Sequence, residues 1–222
     1  GIDKNAEVRA LNLDFKNNKS KFILSVNNKE KGEVTINVPG EHNVKNALGA
    51  IALALELDIP FKQIQLGLKQ YTGVRRRFDI KYTTNNNIMI IDDYAHHPTE
   101  VFVTLKAAKD GWHKRVIAVF QPHLFSRTRD FYKDFAEAFL MADILIITDI
   151  YGAREKPINN ITAEIIIKEV QKKGHKNAIY IPNQNKIPKY LKDTSIANDM
   201  IITMGAGNIW RQCNKIYEVL SN

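Results

Sequence analysis

One cysteine in 222 residues excludes an internal disulfide framework. Cys213 therefore reads as a buried helix residue in a reducing, cytoplasmic setting. Neither CxxC nor HExxH occurs, which removes the familiar zinc arrangements. No apolar run approaches the roughly 18 residues of a spanning helix, and the opening GIDKNAEVRALNLDF lacks the basic-then-apolar order of an export signal. A GxxxxGK[ST] loop for a triphosphate is missing, as is a GxSxG nucleophile elbow. Acidic residues are the scarcer charge, 24 against 32 Lys and Arg, for a net charge of +8. That excess fits an anionic partner (nucleic acid, phosphate or nucleotide), and it fits a lysine-rich solvated surface equally well.

What is present is globular. Apolar residues make up 44% and charged residues 25%, too apolar for a disordered chain. The first forty residues alternate: AEVRALNL, KFILSV and EVTINV predict a small antiparallel sheet, with NNKEKG connecting the last two. Two helices follow, NVKNALGAIALALEL and FKQIQLGLKQY, with Pro60 near the first turn of the second. The first is apolar nearly all round and is expected to pack on two sides. A three-stranded sheet offers one good face, so residues 1–77 look like part of something larger.

The texture changes between residues 73 and 78. After a hairpin, FDIKYTTNNNIMIID, apolar runs recur without alternation: IMII, VIAVF, ILIIT, AIYI and MIITM. Between or after them come helical segments, VFVTLKAAKDGW, DFYKDFAEAFLMA, TAEIIIKEVQKKG and IWRQCNKIYEVL. Strands apolar on both faces and separated by helices predict an α/β domain, Rossmann-like, with a mostly parallel sheet over residues 78–222.

Ligands of such sheets bind at the carboxyl ends of the strands. One strand ends at Asp92-Asp93-Tyr94-Ala95-His96-His97, and the next at Gln121-Pro122-His123, with Ser126 to Arg129 beyond. A third ends at Asp149 and Tyr151, and the last at Gly205-Ala206-Gly207. Paired carboxylates beside two imidazoles can bind a cation, hold ribose hydroxyls or orient an amine; Asp at a strand end can also simply cap a turn. Ser126 to Arg129 reads either as an anion site at a helix start or as a plain helix start capped by Ser126. The run Arg75-Arg76-Arg77 reads as a solvated linker or as a phosphate contact beside two domains.

The segments PGEHNVKNALGAIALALELDIP, GVRRRFD, IDDYAHHPTE, FQPHLFSRTRDF, AREKPI and MGAGNI, in this order, resemble the Mur ligase family across essentially the whole chain, most closely the branch that joins L-alanine to UDP-N-acetylmuramate. The resemblance implies an ATP-dependent ligase of peptidoglycan synthesis, using ATP and Mg2+ and working through an acyl phosphate, with no nucleic-acid or membrane partner. It implies that residues 1–77 are the end of a central ATPase domain and residues 78–222 the C-terminal domain. The missing triphosphate loop then leads to the expectation of a piece of a longer enzyme, inactive alone.

Carried over by position, the resemblance implies nucleotide contacts at Asn43, Asn46, Arg77 and Asp93. It implies substrate contacts at Tyr94, His96, His97, His123 and Arg127. No catalytic residue and no metal ligand is assigned within the chain. Asp93→Ala is expected to abolish activity in the full-length enzyme while leaving it folded, and Arg77 is expected at a hinge. Leu124 stands where many relatives have Arg, and Asn208 where the family often has Asp. Two alternatives remain: the peptide-recycling branch of the same family, and a basic nucleic-acid-binding module.

Overall fold

Asn27 and Asn28 both take left-handed backbone angles (φ 49° and 63°) and form a two-residue turn between Val26 and Lys29. Asparagine tolerates that conformation, which matches the twist of the flanking strands. The turn belongs to a three-stranded antiparallel sheet of β1 (Val8–Lys16), β2 (Lys19–Val26) and β3 (Lys29–Ile36) in the computed structural model, which describes residues 1–3 and 5–221. The expected NNKEKG connection is thus shorter than the sequence suggests. Lys29 to Gly32 pair as strand, and a register shift opposite Gly32 absorbs the irregularity.

The chain divides into two units, Gly1–Val74 with Lys106–His113, and Arg75–Leu105 with Lys114–Asn222. In the first unit, helices α1 (Glu41–Glu56) and α2 (Phe61–Gln70) join the sheet in a core of Phe22, Leu24, Val34, Ile36, Val44, Leu48 and Ile51, among others. The expectation that α1 packs on two sides is not met within the unit. Its buried residues are Val44, Ala47, Leu48 and Ile51, whereas Leu53 and Leu57 are 64% and 65% exposed.

The second unit is a six-stranded sheet of order β4-β5-β9-β6-β7-β8: β4 (Asp79–Thr83), β5 (Met89–Asp93), β6 (Val116–Phe120), β7 (Ile144–Ile147), β8 (Ala178–Tyr180) and β9 (Met200–Met204). Only β4 is antiparallel to its neighbour. The connecting helices are α3 (Pro98–Gly111), α4 (Phe125–Phe139), α5 (Glu164–Lys172), α6 (Ile187–Thr194) and α7 (Gln212–Ser221).

The strands β5, β6, β7 and β9 are buried throughout, as their unbroken apolar runs require. Ile117, Val119, Ile144, Ile146 and Ile201 pack with Ile187 and Leu191 of α6 and with Cys213 and Ile216 of α7. Phe120 points to the other face, with its ring 5.1 Å from Phe135 and 5.0 Å from Phe139 of α4. Helix α6 escapes the sequence reading. Its eight residues IPKYLKDT include a proline in the first turn, and only Ile187, Pro188 and Leu191 are buried, too few for a clear period.

Candidate functional site

The parallel register aligns the strand ends: Asp93 lies opposite Met204, Met204 opposite Phe120, and Phe120 opposite Ile147. Residues 94, 121, 148 and 205 therefore leave the sheet at one edge. This brings together side chains up to about a hundred residues apart in sequence.

Both carboxylates at the end of β5 are engaged from within. Asp93 is 5% exposed and accepts the backbone N–H of Phe78 (2.8 Å) and of Ala95 (2.7 Å). Burial pushes its carboxyl up to about 6, against the pull of those two amides and of Arg77. Asp92 accepts from Arg76 Nε at 3.0 Å and from the Thr203 hydroxyl at 3.0 Å. Burial raises it also, and the Arg76 hydrogen bond and charge oppose this. The arginine run is accordingly not a free linker. Arg76 donates to the Gly205 carbonyl at 2.8 Å and lies 4.7 Å over the Tyr94 ring. Arg76 and Phe78 both have positive φ (62° and 47°). A phenylalanine in that region is strained, and the Asp93 carboxylate on its amide holds it there.

Next to this loop, Tyr94, His96, His123 and Tyr151 form a line of rings. Centroid distances are 5.1 Å for Tyr94 to His96, 5.9 Å for His96 to His123, and 5.8 Å for the stacked pair His123 and Tyr151. Arg127 reaches the His96 carbonyl at 3.5 Å. Burial, then the charges of Arg127 and His96, lower the His123 imidazole, which favours its neutral form, and its Nδ1 has no partner among the described residues. His97 turns away from this line, with its ring 5.0 Å from Phe131 on α4. Tyr94, His96, His123 and Arg127 are thus brought together, while His97 flanks them.

Three further residues organise the edge. Gln121 Oε1 accepts the N–H groups of Asn208 and Ile209 (2.9 and 3.2 Å), and its Nε2 donates to Asn208 Oδ1 at 3.0 Å. This clasps the glycine turn to the end of β6. Glu155 accepts the backbone N–H and the hydroxyl of Ser126, and these bonds hold its carboxyl below the usual range. Ser126 is therefore not the N-cap of α4. That position is Leu124, with φ 73° and no side-chain cap, and Glu155 supplies the capping carboxylate from another loop. Glu100, in the first turn of α3, accepts from the amides of His96 and His97 and from Arg77. It resembles the Glu of a capping box, reaching back from the first turn, but His97 stands where that motif has Ser, Thr, Asp or Asn, so the sequence carried only half of the signal.

In the first unit, Asn43 and Asn46 line a cleft of about 310 Å³ with Ile36, Val38, Ala47, Ala50, Leu68 and Tyr71. Asn43 Nδ2 donates to the Pro39 carbonyl at 2.8 Å, so this residue supports the start of α1 while it lines the cleft.

A mostly parallel α/β sheet whose carboxyl edge carries guanidinium groups, imidazoles and a glycine turn defines a ligand-binding domain of the doubly wound class. Residues 76–207 match the family model described as Mur ligase, glutamate ligase domain, and residues 1–54 match the Mur ligase middle domain. The chain belongs to the Mur ligase family. It is 44% identical over 220 residues to the UDP-N-acetylmuramate–L-alanine ligase of Geotalea uraniireducens, a match covering 99% of this chain and 48% of that protein. It is 42% identical to the ligase of the same name from Salinibacter ruber, covering 100% and 47%. Among solved structures, the UDP-N-acetylmuramate-alanine ligase of Thermotoga maritima superposes with a TM-score of 0.83 at 28% identity over 97% of this chain and 46% of that one. A murein peptide ligase from Psychrobacter arcticus matches at 0.64 and 23% identity over 100% and 45%, respectively, a likeness of fold. The chain spans about half the length of the curated relatives it matches.

Proposed function

We propose that the chain is part of an ATP-dependent ligase that joins L-alanine to UDP-N-acetylmuramate in peptidoglycan synthesis, in the cytoplasm. In this reaction the muramoyl carboxylate attacks the γ-phosphorus and ADP leaves. The amine of L-alanine then attacks the acyl phosphate carbonyl, expelling phosphate and giving up a proton. The observation that carries the reading is the convergence of Arg77, Arg127, Tyr94, His96 and His123 at one sheet edge, in a chain whose curated relatives carry that name.

Arg77, half exposed, pairs with Glu100 at 3.4 Å and lies 5.8 Å from the Tyr94 ring, and its guanidinium is available to a phosphate. Such a pair costs little to exchange. Asn43 and Asn46 offer amide donors and acceptors in a largely apolar cleft, a chemistry that suits an adenine ring. Asp93, expected at the ribose, already holds two backbone amides, so we assign its part in nucleotide binding to placing the Arg77 loop. Arg127 is the cation available to a substrate carboxylate. A neutral His123 suits a place beside an incoming amine. ATP brings magnesium with it. Among the described residues no group of three or more His, Cys, Asp or Glu stands together to hold an ion, and no step here runs through one.

The peptide-recycling alternative rests on likeness of fold alone and is not favoured. The nucleic-acid reading has no residue pattern behind it beyond net charge. No helix among the described residues is long and apolar enough to cross a membrane. The test is phosphate release by the full-length protein with ATP, UDP-N-acetylmuramate and either L-alanine or a tripeptide. Release with L-alanine and none from the 222-residue chain alone is expected, and preference for the tripeptide would overturn the reading.

A further inference from the structure

Glu100 stands outside the set of site residues indicated by sequence, yet its two oxygens meet both halves of the site. Oε2 accepts the backbone N–H of His96 at 3.0 Å and of His97 at 3.2 Å, and it lies 3.2 Å from His96 Nδ1. Oε1 accepts from Arg77 Nη1 at 3.4 Å. His96 Nδ1 has a second neighbour, the Tyr94 carbonyl at 2.9 Å. A carbonyl and a carboxylate can only accept, so Nδ1 carries the hydrogen. When the ring is neutral, the lone pair is therefore on Nε2.

Burial works against the Glu100 charge. The His96 amide and the charges of His96 and Arg77 outweigh it, and the carboxyl stays below the usual range. It is thus ionised at neutral pH. The imidazole is mostly buried, with a side chain 21% exposed, so the carboxylate acts on it with limited screening.

We infer that Glu100 is a positioning residue that fixes the His96 ring with Nδ1 protonated and Nε2 free to accept a proton from the incoming amine. A carboxylate against the far nitrogen of an imidazole fixes which nitrogen carries the hydrogen and orients the ring. That use of Nε2 rests on the ligase reading above; the Glu100–His96 pairing does not. The charged and titratable groups around His96 come from every neighbouring segment: Tyr94 after β5, Glu100 on α3, His123 after β6, Arg127 on α4, and Arg76 and Arg77 before β4.

The experiment uses the full-length protein with 15N-labelled histidine, the His96 signals being assigned from their loss in His96→Gln. Wild type should show the Nδ1–H form of the neutral ring, and Glu100→Gln should raise the share of the Nε2–H form by about twofold or more. The Gln oxygen can still accept the His96 and His97 amides, so the fold is expected to hold. Glu100→Asp, which withdraws the carboxylate by one methylene, is the second variant and should move the tautomer share the same way by less. In kinetics, Glu100→Gln should reduce kcat/KM for L-alanine by about tenfold or more, and most of that effect should vanish in a His96→Gln background. An unchanged tautomer, or an undiminished loss in that background, overturns the inference. Absence of L-alanine ligation in wild type would overturn the ligase reading while the tautomer measurement still decided the Glu100 pairing.

Discussion

The carboxylate of Asp93 accepts the backbone N–H of Phe78 at 2.8 Å, fastening the end of a central strand to the arginine loop fifteen residues upstream. Its second oxygen takes the Ala95 amide, so one side chain sets the course of the backbone on both sides of the site.

Asp93→Ala is therefore expected to do more than remove a ligand contact. Two buried amides lose their acceptor, at about 1–3 kcal/mol each, and Phe78 loses what holds its left-handed angle. Denaturant unfolding of the full-length protein should show a loss of about 2–5 kcal/mol. It adds a stability cost to the expectation of a variant that is inactive but remains folded. Unchanged stability would show that the amides find other partners.

The same group sets a pH dependence. Its folded carboxyl lies at about 6, raised by burial from 3.8, so between those values the native protein binds the proton and the unfolded chain releases it. Stability from this group is full below about pH 4 and is lost as pH rises through 6. The loss is on the order of 3 kcal/mol. Asp93→Asn, which cannot ionise, should lose less stability than wild type across that window. Parallel pH–stability curves for the two proteins would refute the assignment.

Gly205 has φ 147°, and a Cβ there would lie 2.7 Å from the Gln121 carbonyl oxygen. A Cβ on Gly207 would meet Gln121 Oε1 and come 2.7 Å from Tyr151 Cγ. Alanine at either position should cost about 1–3 kcal/mol or more. Gly207→Ala should also move Tyr151 off His123, seen as changed histidine chemical shifts.

Asn208 Oδ1 accepts from Gln121 and Gln184 (3.0 and 3.1 Å). An aspartate oxygen can accept the same two hydrogens, so Asn208→Asp should change stability by less than about 1 kcal/mol, whereas Asn208→Leu strands both donors and should cost about 1–3 kcal/mol. Thermal unfolding of the two variants checks this. The structural work of this position needs an acceptor and no charge.

Cys213 is buried against Thr203, and burial pushes its thiol up to about 11. Iodoacetamide at pH 8 should leave the native protein unlabelled and modify it only on unfolding. Rapid native labelling would mean that α7 opens readily.

The sequence alone determined the class of fold, because unbroken apolar runs between helical segments admit little besides a parallel sheet covered on both faces. It also singled out the loops that bear the site, since ligands of such sheets gather at the carboxyl ends. Local periodicity says nothing about strand order, and this is where the tertiary structure decided matters. The last strand, β9, inserts between β5 and β6, and only that places Gly205 within reach of Arg76 and Gln121. The folded chain also makes Arg76 the partner of Asp92 and sets the Asp93 carboxylate on the Phe78 and Ala95 amides. It also exposed the roles of Glu100, Gln121 and Glu155. Gln121 and Glu155 act through hydrogen bonds to segments that a reading along the chain cannot bring together, and Glu100 ties its own turn to Arg77 before β4.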